Sequence, residues 1–566
     1  MKQFDTVPIK KPAINVFNLS HDVKGSYNFD KIYPFVCHPT YPGDTFNAKI
    51  EVFLRTMPLF APVLHNVDLY CYFFHVPNRL LWNAQRKSDW KTFITGGEKG
   101  DYGDHGYADS PSADFVLPHF TYSKFAGWTA AEKIEFASHK SLLDHMGFPT
   151  VPDTEVANLK SAYNEPVSSL PFRAYQLVWN EYFRNQNVQN EIEFSFDGGA
   201  ESSANLKKLL KYRKKCWEKD YFTSCLPFQQ RGEAVRLPID LVPQSSDPNG
   251  MPIAVTSARV GNSETEYPLN LPSNSLAVSV QNLNVSTNSR STILRGYADV
   301  ESLSFAGAGI GTISDFRYCL RLQQWLENNA RCGSRYIEQI LAHFGVVSSD
   351  ARLQRPELLG GGKIPLIFSD VPQTSSTDQE SVQGNLAGKG MLYGKTGGFR
   401  KYFEEHGILL GVLCIIPRTS YQQGIPRYWT AMDKTDFYFP EFAHLSEQAV
   451  LNKEVYYNPA ETPGLVVNGD DKSPDGVFGY QGRFVELRYI PSSVHGELRG
   501  SLQYWHLGRY FTQLPRLNSD FVEAQTRANI FSVENISQGT DDPFVAQIHV
   551  DMKATRPMPK FAVPTL

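Results

Sequence analysis

The strongest constraint on this chain is a strict apolar alternation that occurs twice, far apart. Phe46, Ala48, Ile50, Val52 and Leu54 alternate with Thr45, Asn47, Lys49, Glu51, Phe53 and Arg55. A period of two sends successive side chains to opposite faces of a strand, so one row meets a core. Pro42-Gly43-Asp44 supplies the turn before it. The connection Met57-Pro58-Leu59-Phe60-Ala61-Pro62 excludes a helix through its two prolines, and Val67, Leu69, Cys71 and Phe73 resume the alternation until Pro77. The pattern returns late in the chain, where Phe544, Ala546, Ile548, Val550 and Met552 alternate with Val545, Gln547, His549, Asp551 and Lys553. Pairing these strands places Ile50 and Val52 in one core with Ala546, Ile548 and Val550. The intervening residues must then leave and rejoin a single sheet system, as in a jelly roll carrying large excursions.

Composition narrows the class. All-β chains with long insertions fold as one unit even at 566 residues. An aromatic content of 13 % suits subunit interfaces as well as cores. A net charge of -4 means that this chain alone does not neutralise a nucleic acid. Seven cysteines at scattered spacings form neither a disulfide framework nor paired CxxC metal motifs, which fits a reducing compartment. The N-terminus lacks the apolar run of a secretory signal. The longest apolar run, Ile408 to Ile416, is too short to span a bilayer, so no membrane span is expected.

Between these strands the pattern turns helical over about 78–235. Thr129 and Glu132 form a capping box before Ile134, Ala137, Leu142 and Met146. Pro171 opens a helix whose buried side carries Phe172, Tyr175, Val178, Trp179, Tyr182 and Phe183. Leu206 to Trp217 reads as a further helix holding the densest basic cluster: Lys207, Lys208, Lys211, Arg213, Lys214 and Lys215. With Lys2, Lys10 and Lys11 of the N-terminal arm, these are the candidate DNA contacts, against the rival reading of a solvated charged face. Pro243 to Leu294 differs again, with 21 Ser, Asn or Thr among 52 residues and no Lys. It reads as short strands bearing a neutral amide and hydroxyl surface, an outward projection in which Asn270, Asn274, Asn282, Asn284 and Asn288 face a receptor. A helical insertion follows over 315–361, and 406–417, 478–490 and 543–553 complete the set of expected strands begun by 44–56 and 66–76.

Enzyme signatures fail on inspection. Gly388 to Thr396, GKGMLYGKT, has lysine at 389 where a phosphate-binding loop needs glycine. Gly307, Gly309 and Gly311 follow no dinucleotide-fold strand. Glu404, Glu405 and His406 give no acid/base geometry, and His65 and His75 stand too far apart along one strand to share a metal. Asp470, Asp471 and Asp475 lack EF-hand spacing. Neither catalytic residues nor a metal or cofactor site is expected.

One stretch is specific. LQQWLENNARCGSRYIEQILAHFGV (Leu322 to Val346), followed by SSDARLQRPELLGG (Ser348 to Gly361), resembles the hallmark segment of the major capsid proteins of the Microviridae, small single-stranded DNA bacteriophages. LSHD at Leu19, PGDTF at Pro42, FFHVPNRLLWN at Phe73, LPFRAYQLVWNEYFRNQN at Leu170, KDYFTSCLPFQQRG at Lys219, EHGILLG at Glu405, YQQG at Tyr421, FYFPEFAHLSEQAVLNKEVYY at Phe437 and FGYQGRFVELRY at Phe478 agree with it in order. Cys332 stands where the family more often has glycine. Pro243 to Leu294 does not match closely and falls where the gokushovirus-like branch carries a variable insertion. The resemblance implies a mainly β chain: a single eight-stranded jelly-roll barrel with long helical and loop insertions. It further implies self-association into a T=1 icosahedral shell around circular single-stranded DNA, located in the virion and assembled in the host bacterial cytoplasm. Partners of that kind are the chain itself, the packaged DNA, a small basic DNA-binding protein, a scaffolding protein, a pilot protein and a host receptor. Arg331, Arg335, Arg352 and Arg355 are candidate interface clamps, because guanidinium forks pair with carboxylates and carbonyls; intrachain pairing is their alternative role. Two other classes are carried beside the capsid subunit: a jelly-roll carbohydrate-binding attachment protein and a jelly-roll glycan enzyme, for which no paired-carboxylate cleft is readable.

Overall fold

The computed structural model describes residues 13–83, 89–95, 116–156, 165–232, 354–372, 386–459, 473–537 and 541–561, with the short elements 257–260, 266–270, 279–280, 294–296 and 313–331. The chain divides into two compact units, one of residues 1–229 and 346–566 and the other of residues 230–345. The second contains helix Ile313–Arg331 and a four-stranded sheet in which Glu266–Asn270 pairs with Ser279–Val280 and with Ser257–Val260, itself beside Leu294–Gly296. Short strands are what the Ser/Asn/Thr-rich composition calls for.

The first unit is built on one antiparallel sheet. Its strands are β1 (Asn15–Asn18), β2 (His21–Tyr27), β3 (Tyr33–Thr40), β4 (Thr45–Thr56), β5 (Val67–Pro77), β6 (Glu357–Pro372), β7 (Leu386–Tyr402), β8 (Gly407–Pro417) and β9 (Phe544–Arg556). Across the sheet they run β1-β9-β4-β7-β6-β5-β8-β3, and β2 also pairs with β9. β1 and β2 therefore share one position along β9, and the sheet has eight positions. Val52 faces Ile548 and Ile50 faces Val550, as the two alternations require. All four lie in the main core with Phe46, Ala48 and Leu54.

Curling arises where strands change partners. β6 pairs with β5 from Glu357 to Leu366 and with β7 from Ile367 onward, while β7 passes from β6 to β4 at Met391. The sheet folds over on itself there into a half-barrel, enclosing the core. Glycine makes the approach possible: a Cβ on Gly362 would overlap the Thr396 hydroxyl, and one on Gly394 would sit 2.8 Å from Ile364 Cγ2.

The two halves have different surroundings. β4 and β9 bury alternate residues. β8 buries all of its residues and β5 all but Tyr72, because their second face is covered by the helical insertion. A strand covered on both faces reads as a continuous apolar run, which explains Ile408 to Ile416. In the insertion, Thr129 and Glu132 form the expected capping box. Helix α1 (Leu170–Val178) has Pro171 in its first turn and buries Phe172, Tyr175 and Val178.

Several expectations are corrected. β1, β2, β3, β6 and β7 were not foreseen as strands. Residues 478–490 do not join the main sheet: Val477–Gly482 pairs with Glu447–Leu451 in a separate ribbon, and Val485–Leu487 is a helical turn. The expected helix from Leu206 to Trp217 is α2 (Ser203–Leu210), capped by the Ser202 hydroxyl, after which the chain extends and bridges to Lys31 and Glu523. The insertion expected to run to Gly361 stops earlier, since Glu357 already begins β6. Residues 332–353 of that insertion lie outside the described residues.

Candidate subunit interface

The face of β2, β9, β4 and β7 turned away from the core is laid out in rows across the strands. Val545, Arg55, Met391 and Ile367 are successive partners, as are Gln547, Phe53 and Tyr393. The next row on this face, Asp22, His549, Glu51 and Lys395, is ionic: His549 Nδ1 lies 2.6 Å from Asp22 Oδ1, and Lys395 pairs with Glu51. Arg55 stacks 5.0 Å above Phe53. Ile367 and Tyr393, each 67 % exposed, make this a mixed apolar and charged surface of the kind that meets another protein.

The basic cluster is dispersed by the fold. Lys207 pairs with Glu132 at 2.5 Å and lies 5.3 Å from the Trp128 ring centroid. Lys208 Nζ donates to the Glu193 carbonyl at 3.0 Å. Arg213 donates to Gln176 and the Lys208 carbonyl and packs on Trp179. Lys215 sits 3.9 Å from the Tyr70 ring centroid, where burial lowers its pKa. Lys214 is half-buried, its carbonyl accepting from Trp179 Nε1 at 2.8 Å. Only Lys208 and Lys211 of the six are exposed. Lys2, Lys10 and Lys11 lie outside the described residues.

Of the four candidate clamps, Arg355 lies 5.8 Å from the Tyr182 ring centroid within the chain. Arg331 ends helix Ile313–Arg331, and Arg335 and Arg352 lie outside the described residues. Among the receptor-facing candidates, Asn270 ends a strand opposite Ser279, while Asn274, Asn282, Asn284 and Asn288 lie outside the described residues.

The motifs weighed for chemistry have structural places. Gly388 to Thr396 is continuous strand within β7, with no loop to cradle a phosphate. Glu405 pairs with Arg79 at 2.6 Å, and Asp475 with Lys453 at 2.7 Å. His65 Nε2 meets the Arg418 carbonyl at 2.7 Å and His75 Nε2 the Thr40 hydroxyl at 3.0 Å; burial pushes both imidazoles down to about 4. Among the described residues no group of three or more His, Cys, Asp or Glu is placed to hold a metal, and the six cysteines are free thiols. No helix among them is long and apolar enough to cross a membrane.

Two buried polar centres hold the first unit together. Arg173 on α1 donates to Glu201 Oε1 at 2.9 and 2.7 Å and to the Leu81 and Asp197 carbonyls. Glu201 also accepts from the Ser169 hydroxyl at 2.6 Å and from Asn205 on α2. Asp30, at the corner between β2 and β3, has φ 69° and is 3 % exposed. Its amide donates to Ile415 of β8, its carbonyl accepts from the Lys215 amide, and its carboxylate takes the Thr526 amide and hydroxyl at 2.5 and 2.6 Å.

Burial pushes the Asp30 carboxyl up to about 6, against the opposing pull of Thr526 and Lys214 and with the help of Glu523. Between its ordinary value of 3.8 and about 6 the folded chain holds a proton that the unfolded chain has released. The stabilisation is fully present below the unfolded value and lost as pH rises through the folded one, a change of about 3 kcal/mol. Asp30→Asn is expected to lose this contribution: on going from pH 7 to pH 4 the unfolding free energy of the variant should change less favourably than that of the wild type, by about 2 kcal/mol in denaturant unfolding. Equal pH dependence in the two proteins counts against it.

Sequence reasoning missed the exposed aromatic segment around Trp429 to Phe439, for which the only signal was aromatic density without an apolar period. Comparison with known proteins brings these surfaces under one heading. Residues 4–566 match the family described as capsid protein (F protein). The chain is 33 % identical to the capsid protein VP1 of Bdellovibrio phage phiMH2K, covering 99 % of this chain and 97 % of that one. It is 32 % identical to VP1 of Chlamydia phage 1 over 100 % of this chain and 97 % of that one, and 30 % identical to VP1 of Spiroplasma virus 4 over 97 % and 94 %. The family match spans nearly the whole length and three relatives of 30 % identity or more cover both chains almost fully, so the chain belongs to the F-type phage capsid protein family.

Proposed function

We propose that this chain is the major capsid subunit of a small phage, closing with copies of itself into a T=1 icosahedral shell around circular single-stranded DNA. The observation that carries the reading is the match to the capsid protein family from residue 4 to residue 566. Its fold is read as a jelly roll. What supports this is the strand order, with β2, β9, β4 and β7 in one half and β6, β5, β8 and β3 in the other, the arrangement of two interlocked Greek keys. The chain acts as structure and not as a catalyst. Because it carries a net charge of -4 and most of its described basic cluster is engaged internally, DNA neutralisation falls to a separate small basic protein, with Lys208 and Lys211 as weak local contacts. Scaffolding and pilot proteins complete the partners, and assembly takes place in the host cytoplasm.

The Ser/Asn/Thr-rich stretch 243–294 lies in the second compact unit, and its neutral amides and hydroxyls suit glycan hydrogen bonding in host attachment. One experiment covers both levels. Particles are recovered from cells making the full chain with its virion partners, and compared with particles in which Gln244 to Ser291 is replaced by a Gly/Ser linker. The expected result is icosahedral particles holding nuclease-resistant single-stranded DNA in both cases, with adsorption to host cells lost in the second. Absence of particles from the wild-type chain overturns the capsid reading. Normal adsorption by the replacement overturns the attachment role alone.

A further inference from the structure

The segment 426–445 has a structure at odds with its composition. It contains no strand and no α-helix, only the helical turns Arg427–Trp429, Lys434–Asp436 and Pro440–Phe442, none of which buries a residue. Yet it is pinned firmly. Arg427 Nη1 donates to the Ala449 carbonyl at 2.6 Å and to Glu454 at 3.1 Å, and Arg483 donates to the Thr435 carbonyl at 2.6 Å. Asp436 accepts the Met432 and Asp433 amides at 3.0 Å each, closing the loop on itself. Such anchoring holds its apolar side chains outward instead of letting them collapse. Trp429 is 69 % exposed, Met432 86 % and nearby Ile490 82 %, and Phe437, Tyr438, Phe439, Leu445 and Leu487 are each about half exposed.

Eight exposed, mostly apolar side chains on one anchored segment and its neighbours are more than the scattered single residues an ordinary monomer surface shows, where the largest patch is about 300–600 Å². Beside the patch lies a cleft of about 300 Å³, lined among others by Tyr421, Gln422, Tyr428, Trp429, Ile490 and His495, wide enough for a large side chain. Charge decides between occupants. Across the segment, the cleft and the flank of Leu487, the carboxylates Asp433, Asp436, Glu441, Glu454 and Glu486 balance Arg427, Lys434, Arg483, Arg488 and Arg499, and Arg427 is committed to Glu454. An apolar surface without net positive charge gives a phosphate backbone little to hold and suits a protein partner. For a chain of a capsid family, the protein present in the needed number is a second copy of itself.

We propose that the segment 426–445, with Leu487 and Ile490, is a preformed clamp that docks a neighbouring copy of this chain, and that the cleft beside Trp429 receives a side chain of that copy. Preorganisation by Arg427, Arg483 and Asp436 means that little ordering entropy remains to be lost on contact. The inference rests on the capsid reading, and its test separates the two. Trp429→Ser/Met432→Ser is made in the full chain and followed by sedimentation velocity, by thermal melting and by particle yield in complemented cells. Because both side chains lie outside the core, melting should match the wild type while self-association weakens at least tenfold and particle yield falls with it. Should melting also drop, Ile490→Lys, another residue lining the cleft, provides the second reading: it must weaken association to the same degree, and wild-type association in that variant overturns the proposal. Wild-type particles alongside normal assembly of the double variant overturn the clamp and leave the capsid reading standing. Failure of the wild-type chain to assemble at all removes both. Quenching of Trp429 fluorescence by a short poly-dT oligonucleotide, with assembly unaffected by the substitutions, would assign the surface to DNA and also overturns the proposal.

Discussion

A chain ending at Pro543 will not fold. That truncation removes β9, whose side chains Phe544, Ala546, Ile548, Val550, Met552 and Ala554 are all buried in the main core. At about 1.5–3 kcal/mol for each large buried side chain, the loss is on the order of 10 kcal/mol, comparable with the whole stability of an ordinary domain. The damage is more than thermodynamic, because β4 and β2 would each present an unpaired hydrogen-bonding edge to other chains. The expected outcome is insoluble protein on expression. Soluble truncated protein with the full chain's far-ultraviolet circular dichroism would sink this prediction.

Arg173→Met is expected to have the next largest effect, destabilising the first unit by about 3–5 kcal/mol. The substitution keeps most of the volume but leaves Glu201 charged among buried neighbours, with only Ser169 and Asn205 to satisfy it. The Leu81 and Asp197 carbonyls lose their donors in the same step. Pairing the change with Glu201→Gln should recover part of the loss, since the stranded charge accounts for much of it. Denaturant unfolding of the single and double variants measures both quantities. A single variant within 1 kcal/mol of the wild type, or a double variant worse than the sum of its parts, contradicts the assignment.

How far the fold could be read in advance depended on whether the cause of each element was local. β4 and β9 were legible because one face meets the core and the other meets solvent, and their pairing followed from matched alternation. β6 and β7 were not. Their glycines, Gly360 to Gly362 and Gly394 to Gly398, look like loop or phosphate-site residues in sequence. For Gly360, Gly362 and Gly394 the reason is the opposing half of the sheet, which comes too close for a side chain, while Gly397 takes a left-handed φ of 64°. The basic run Lys207 to Lys215 shows the same limit: local charge density cannot reveal that Lys215 lies against Tyr70 or that Arg213 serves Gln176. For the site, the family was legible from long strings spread along the chain. The Trp429 to Phe439 surface was not, because an exposed aromatic differs from a buried one only through its neighbours.

The position of β9 has a consequence for the order of events during synthesis. It is the last of the nine strands to be translated, yet it lies between β4 on one side and β1 and β2 on the other, all of which leave the ribosome hundreds of residues earlier. Until residues 544–556 emerge, that half of the sheet is split and its early strands have no in-sheet partner along those edges. A ribosome that stops short therefore releases a chain lacking the strand that joins the two edges. Emergence of residues 544–556 is thus the step that joins β4 to β1 and β2 and completes that half of the sheet.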